Sequence, residues 1–180
     1  MTHHLHSLIQ YLDSLSAPAD LSTLRRLLGE LDITADDLAP YVHFDNDHYA
    51  RNKISQSRWY ELVCLCWAPE QRTPIHDHRA SSCAFLVVQG APTEVLYELG
   101  ADGKIAGHSE SFRRDPGYIC AAWDADIHEV SNPTDHPSIT LHIYSPALTE
   151  VHIYSRQTGE AELWSPQVQV AKRSPNIASW

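Results

Sequence analysis

The stretch best equipped for chemistry is Thr73-Pro74-Ile75-His76-Asp77-His78, which runs through Cys83 into the apolar segment Ala84-Phe85-Leu86-Val87-Val88 and stops at Gly90. Side chains two apart on an extended strand point to the same side, so His76 and His78 would present their imidazoles together while Asp77 faces away. That is half of a metal site. Imidazole is the commonest biological ligand for zinc, copper, iron and nickel, and two on one strand face need only one or two partners from elsewhere. Taken alone, the same pair could equally be two satisfied surface histidines in a chain that has 12.

The surrounding pattern suits a strand-built scaffold. From about residue 58 the chain breaks into short β runs: Glu61–Ala68, Cys83–Val88, Thr93–Leu99, His108–Phe112, Tyr118–Ala122, His128–Val130, Ile139–Tyr144, Val151–Ser155 and Ala161–Trp164. Gly100-Ala101-Asp102-Gly103-Lys104, Asn132-Pro133-Thr134-Asp135 and Gln157-Thr158-Gly159 read as turns between them. Many short strands at close spacing predict an antiparallel sandwich or barrel. Before them, Leu8, Tyr11, Leu12 and Leu15 recur at helix spacing, Pro18 interrupts, and Leu21, Leu24, Leu27, Leu28 and Leu31 repeat the pattern. Asp20 or Ser22 could cap the second helix, and a third short one is expected over Thr34 to Ala39, ended by Pro40. The leucine stripes are packing surface and carry no chemistry.

With 180 residues, 43% of them hydrophobic, the chain is sized for one domain. The expected division is a helical cap over 1–41, a β-barrel with the metal site over 42–165 and an irregular tail over 166–180. No segment approaches the ~20 apolar residues of a membrane span, and the start lacks the basic and apolar regions of a secretory signal, so a soluble, cytoplasmic protein is expected. A formal net charge of −10 without a Lys/Arg cluster argues against nucleic acid or an anionic membrane as partner. Cys64, Cys66 and Cys120 lie in apolar strand-like runs without Cys-x-x-Cys spacing and read as small buried hydrophobes.

Two spacings change the weight of the histidine pair. His76-Asp77-His78, Cys83 and Gly90 resemble the first motif of the cupin superfamily, with Cys83 standing where that motif has an acidic ligand. Gly117, His128 and Asn132 resemble the second, although Trp123 and Ala125 replace its Pro and Gly. A set of three neutral histidines, His76, His78 and His128, would leave Fe(II) its full charge and favour an anionic ligand such as a thiolate. Together with Tyr49-Ala50-Arg51-Asn52 and Ser138-Ile139-Thr140-Leu141-His142-Ile143-Tyr144-Ser145-Pro146, these residues resemble the thiol dioxygenases, specifically the cysteine dioxygenase family, over about residues 41 to 165.

The resemblance implies a mainly β, cupin-type barrel with an N-terminal helical cap, Fe(II) on His76, His78 and His128, and addition of both atoms of O2 to the sulfur of L-cysteine. It places Arg51 on the substrate carboxylate, with Tyr49 beside it. It also sets Tyr144 next to the iron with His142 as its hydrogen-bonded support, and allows a thioether between Cys83 and Tyr144. A fork of N–H donors is what an otherwise acidic protein needs to hold a carboxylate. Other readings stay open at this stage: 3-mercaptopropionate or another small thiol as substrate, or a non-catalytic cupin that senses a metal or ligand. A monomer or weak dimer is expected.

Overall fold

Alternation along the chain from residue 50 onward produces strands whose two faces meet different neighbours. The computed structural model describes residues 3–122 and 127–165. Within them, β1 (Ala50–Gln56), β2 (Glu61–Trp67), β4 (Ser82–Gln89), β7 (Ile119–Ala122) and β9 (Ser138–Ser145) form one antiparallel sheet in the order β1-β2-β9-β4-β7. A second sheet has the order β11-β10-β3-β8-β5-β6, from β3 (Ile75–His76), β5 (Thr93–Leu99), β6 (Ile105–Arg113), β8 (Ile127–Ser131), β10 (Val151–Tyr154) and β11 (Ala161–Trp164). The architecture is the expected mainly β, cupin-type one with helices at the N-terminal end.

Leu62, Cys64, Cys66, Leu86, Leu141 and Ile143 share a core with Leu5, Leu8 and Leu12 of helix α1 (His3–Asp13) and Leu24 and Leu28 of α2 (Leu21–Gly29). The helices therefore cover one face of the first sheet. Each fully buried leucine there contributes ~1.5–3 kcal/mol. Asp20 caps α2 by accepting from the Thr23 N–H at 2.8 Å, a contact worth ~1 kcal/mol. The opposite face presents Val63, Leu65, Trp67, Cys83, Phe85, Val87 and Tyr144, which pack with Val130, Leu148 and Val151 to make the barrel interior. No described helix is long and apolar enough to cross a membrane.

Three expectations are corrected. The third helix is a 3-10 turn over Asp36–Tyr41 with Pro40 inside it, because the tighter turn tolerates a residue without an N–H near its end. Strand β1 precedes the expected onset of β structure; its Ala-Arg-Asn-Lys-Ile-Ser-Gln sequence lies at a sheet edge and has no apolar run to announce it. The His-x-His stretch is a strand only over Ile75–His76. Gly90 has a physical reason to be glycine: its φ is 79°, and a Cβ there would lie 2.1 Å from Ser138 Oγ. Trp123, Ala125 and the tail expected over 166–180 lie outside the described residues.

Candidate metal centre

Pairing of β3 with β8 sets His76 and His128 directly opposite each other, and His78 follows two residues beyond His76. The three rings converge, with centroids 5.2 Å apart for His76 and His78, 4.7 Å for His76 and His128, and 4.9 Å for His78 and His128. One ring nitrogen from each lies within 4.8 Å of the others. His76 Nδ1 is 3.0 Å from the Pro74 carbonyl and must donate to it, which leaves Nε2 as a lone-pair donor. His128 Nδ1 is 2.9 Å from Glu94 Oε1, which sets the same tautomer.

The protonation states suit ligation. Burial, then the neighbouring His128, takes the His76 pKa down to about 3. Burial likewise holds His78 well below the ordinary histidine range, with His128 and His76 adding to the effect. His78 Nδ1 and His128 Nε2 are buried with no hydrogen-bond partner. Such an atom costs ~1–3 kcal/mol if nothing meets it, and a cation inside the triad meets lone pairs that no protein donor reaches. The donor set fits a divalent transition metal that accepts imidazole.

Outside the triad, Asp77 faces away as alternation requires. Its carboxylate accepts from the His152 backbone N–H at 2.8 Å, from His152 Nδ1 at 2.7 Å and from the Tyr154 hydroxyl at 3.2 Å. Those bonds anchor the short His-x-His segment to β10. Behind His128, Glu94 also receives Arg114 through Nε at 2.9 Å and Nη2 at 2.7 Å. Burial opposes ionisation of Glu94, but His128 and Arg114 outweigh it and keep its pKa below the usual value.

The first sheet supplies the other wall. Cys83 on β4 and Tyr144 on β9 are direct cross-strand partners, each 3% exposed. Tyr144 stands 5.5 Å from His78, ring to ring, and its hydroxyl is 3.4 Å from His142 Nδ1. Burial, then Cys83, raises the Tyr144 pKa far above its normal value, so the phenol keeps its proton. His142 stacks on Phe85 at 4.8 Å, and burial holds it neutral. Its Nε2 is 2.9 Å from Thr140 Oγ1, which accepts from Trp67 Nε1 at 3.0 Å. Trp67 can only donate, and the buried Thr140 hydroxyl needs an acceptor for its own hydrogen, which His142 Nε2 provides. The network therefore assigns the remaining proton to His142 Nδ1, which faces Tyr144 and leaves the phenol hydrogen free for the site.

Arg51 lies over Tyr144, its Cζ 5.3 Å from the ring centroid. Its Nη2 is also 3.0 Å from Glu61 Oε2. Burial disfavours the charged guanidinium, but Tyr144, Tyr49 and Glu61 together raise its pKa above the usual value. Tyr49 stacks on Trp67 at 4.7 Å. The structure thus brings His76, His78, His128, Cys83, His142, Tyr144 and Arg51 together, with Tyr49 stacked on Trp67 nearby.

Sequence reasoning missed Thr140, Trp67, Glu61, Glu94 and Arg114. For Thr140 a signal existed, since Thr140, His142 and Tyr144 alternate along one strand face. The two glutamates gave none, because an acid in a strand reads as solvent-facing until its partners are known.

Comparison with known proteins gives the family and the fold. The family model for cysteine dioxygenase type I matches residues 4–157. Cysteine dioxygenase type 1 of Rattus norvegicus is 27% identical over 161 residues, covering 86% of this chain and 80% of the relative. The Danio rerio protein of that name is 26% identical over 162 residues, covering 86% and 77%. Among solved structures, TT1209 from Thermus thermophilus superposes with a TM-score of 0.52 at 20% identity, over 65% of this chain and 99% of that one. An uncharacterised Klebsiella pneumoniae protein with a double-stranded β-helix domain gives 0.50 at 19%, over 76% and 97%; both likenesses concern the fold alone. With the family model spanning most of its length, the chain belongs to the cysteine dioxygenase type I family.

Proposed function

We propose that this protein is an Fe(II)-dependent thiol dioxygenase that converts L-cysteine and O2 to cysteine sulfinate. The reaction balances without a further reductant: sulfur gives up four electrons in passing from thiol to sulfinate, O2 takes them, and both oxygen atoms stay on sulfur. The observation that carries the reading is the convergence of three histidines, two of them with a buried and unpartnered ring nitrogen, beside the Tyr144 and Arg51 side chains.

His76, His78 and His128 would hold the iron, which when bound supplies the one-electron chemistry that allows a thiol and O2 to react. Arg51 fixes the substrate carboxylate, because its fork still has donors beyond the single N–H given to Glu61. Tyr144 keeps its proton at neutral pH and offers it to the reacting sulfur or oxygen atoms. The chain from Trp67 through Thr140 and His142 aims that phenol by satisfying its oxygen from behind. Trp67, Val63, Leu65 and Phe85 keep the inner wall apolar and exclude competing water.

Glu61 favours a second reading, a small thiol other than cysteine, since Arg51 already has one carboxylate partner. One experiment separates the two. Oxygen uptake by iron-loaded protein is measured with L-cysteine, 3-mercaptopropionate and cysteamine, with the sulfinate product identified. The highest kcat/KM is expected for cysteine. Greater turnover of another thiol would transfer the assignment to it, and no uptake with any of them would leave a binding protein.

A further inference from the structure

The three histidines of the centre are backed unequally. His76 donates to a neutral carbonyl, that of Pro74, but His128 donates to a carboxylate. In the β5–β8 register Glu94 lies opposite Val130 and Leu96 opposite His128, so Glu94 reaches His128 along the diagonal of the pair. Only 3% of Glu94 is exposed. Its second oxygen takes both Arg114 bonds, and that guanidinium lies 4.3 Å from the Phe112 ring centroid and 4.2 Å from that of Tyr118.

Burying such a pair is expensive, and apolar residues of similar volume would often serve stability as well or better. The arrangement is better explained by what it does to His128. A carboxylate accepts an N–H roughly twice as strongly as a neutral carbonyl does, and a histidine backed in this way is a fixed, more basic ligand. We propose that Glu94, clamped by Arg114, is a positioning residue that locks His128 with its proton on Nδ1 and supplies from behind the negative charge that none of the three ligands carries. Arg114 has two effects. It holds Glu94 in one rotamer, and it shares the carboxylate charge so that the Nδ1 proton stays on His128. The inference rests on reading the three histidines as metal ligands and is independent of which thiol is the substrate.

Anaerobic Fe(II) binding, read by competition with a chromogenic chelator on the full chain, tests it. The affinity is expected to fall roughly 10- to 100-fold in Glu94→Ala. Glu94→Gln is nearly isosteric and still accepts from His128 Nδ1, but it carries no charge and turns an N–H toward Arg114; a loss of about threefold or more is expected. Imidazole 15N shifts in the metal-free protein should show one His128 tautomer in the parent and a mixture in Glu94→Ala. A purely structural Glu94 would lower the melting temperature of both variants and leave affinity within about twofold of the parent. That result overturns the proposal, and the Gln variant decides it alone if the Ala variant does not fold. A parent that binds no Fe(II) would overturn the metal reading, and this inference with it.

Discussion

Arg51 is the residue at which the substrate choice can be tested most sharply. Its guanidinium lies between the Tyr144 ring, 5.3 Å away, and Glu61 Oε2, 3.0 Å away, with 29% of its side chain and 12% of that of Glu61 exposed. Truncating one member of a desolvated, hydrogen-bonded charge pair costs ~2–5 kcal/mol. Partial exposure argues for the lower part of that range, so Arg51→Ala is expected to reduce kcat/KM for cysteine by ~30- to 1000-fold, or about 2–4 kcal/mol. Cysteamine lacks the carboxylate and should lose less than ~10-fold. Arg51→Ala also strands Glu61, so the comparison is repeated in a Glu61→Gln background, where the cysteine-specific loss should persist. Glu61→Gln alone removes a competing carboxylate. The partly exposed pair is worth ~1 kcal/mol after solvent screening, so KM for cysteine should drop by up to about fivefold. Steady-state oxygen consumption with both thiols on all four proteins gives the cycle. Equal losses for cysteine and cysteamine in both backgrounds would refute a carboxylate-binding Arg51 and leave it a structural partner of Glu61 and Tyr144.

Four further outcomes are expected. Each of His76→Ala, His78→Ala and His128→Ala should lose most bound iron by elemental analysis while keeping the parent's far-ultraviolet circular dichroism, since the barrel core does not depend on the metal. Thr140→Val should lower kcat by ~5- to 100-fold, the cost of a buried hydrogen bond left unmade, with little change in KM, and Thr140→Ser should restore it. After turnover with Fe(II), cysteine and air, mass spectrometry should show Cys83 and Tyr144 peptides joined with a loss of two hydrogens, O2 being the oxidant; two separate, unmodified peptides after extensive turnover would count against the link. Metal-free protein should lose stability as the pH falls below about 6.5. His76, His78 and His142 have folded-state pKa values depressed by burial, so the unfolded chain takes up their protons first. Between about pH 6.5 and the folded value of about 3, His76 contributes a slope approaching ~1.4 kcal/mol per pH unit, and the depressed His142 adds to it, so denaturant melts should show a shallower pH dependence in a His142→Gln variant.

What the sequence alone determined is what local spacing can encode. The alternation of His76, Asp77 and His78 dictated that both imidazoles share a side, and the Leu8, Leu12, Leu24 and Leu28 pattern dictated an apolar helix face. The interval from Cys83 to Gly90 and the position of His128 marked the cupin pattern, and β-rich alternation after residue 61 marked the sheets. What only the tertiary structure decided is which distant residues meet, because strand order and register are global properties of the folded chain. Register alone sets His76 opposite His128 and Cys83 opposite Tyr144. Register also turned Glu94 toward His128 and Glu61 toward Arg51, giving partners inside the fold to two acids that local pattern assigns to solvent. Strand β1 was hidden for a related reason: as an edge strand with polar residues it needs β2 beside it to exist, and no periodicity within Ala50–Gln56 foretells that neighbour.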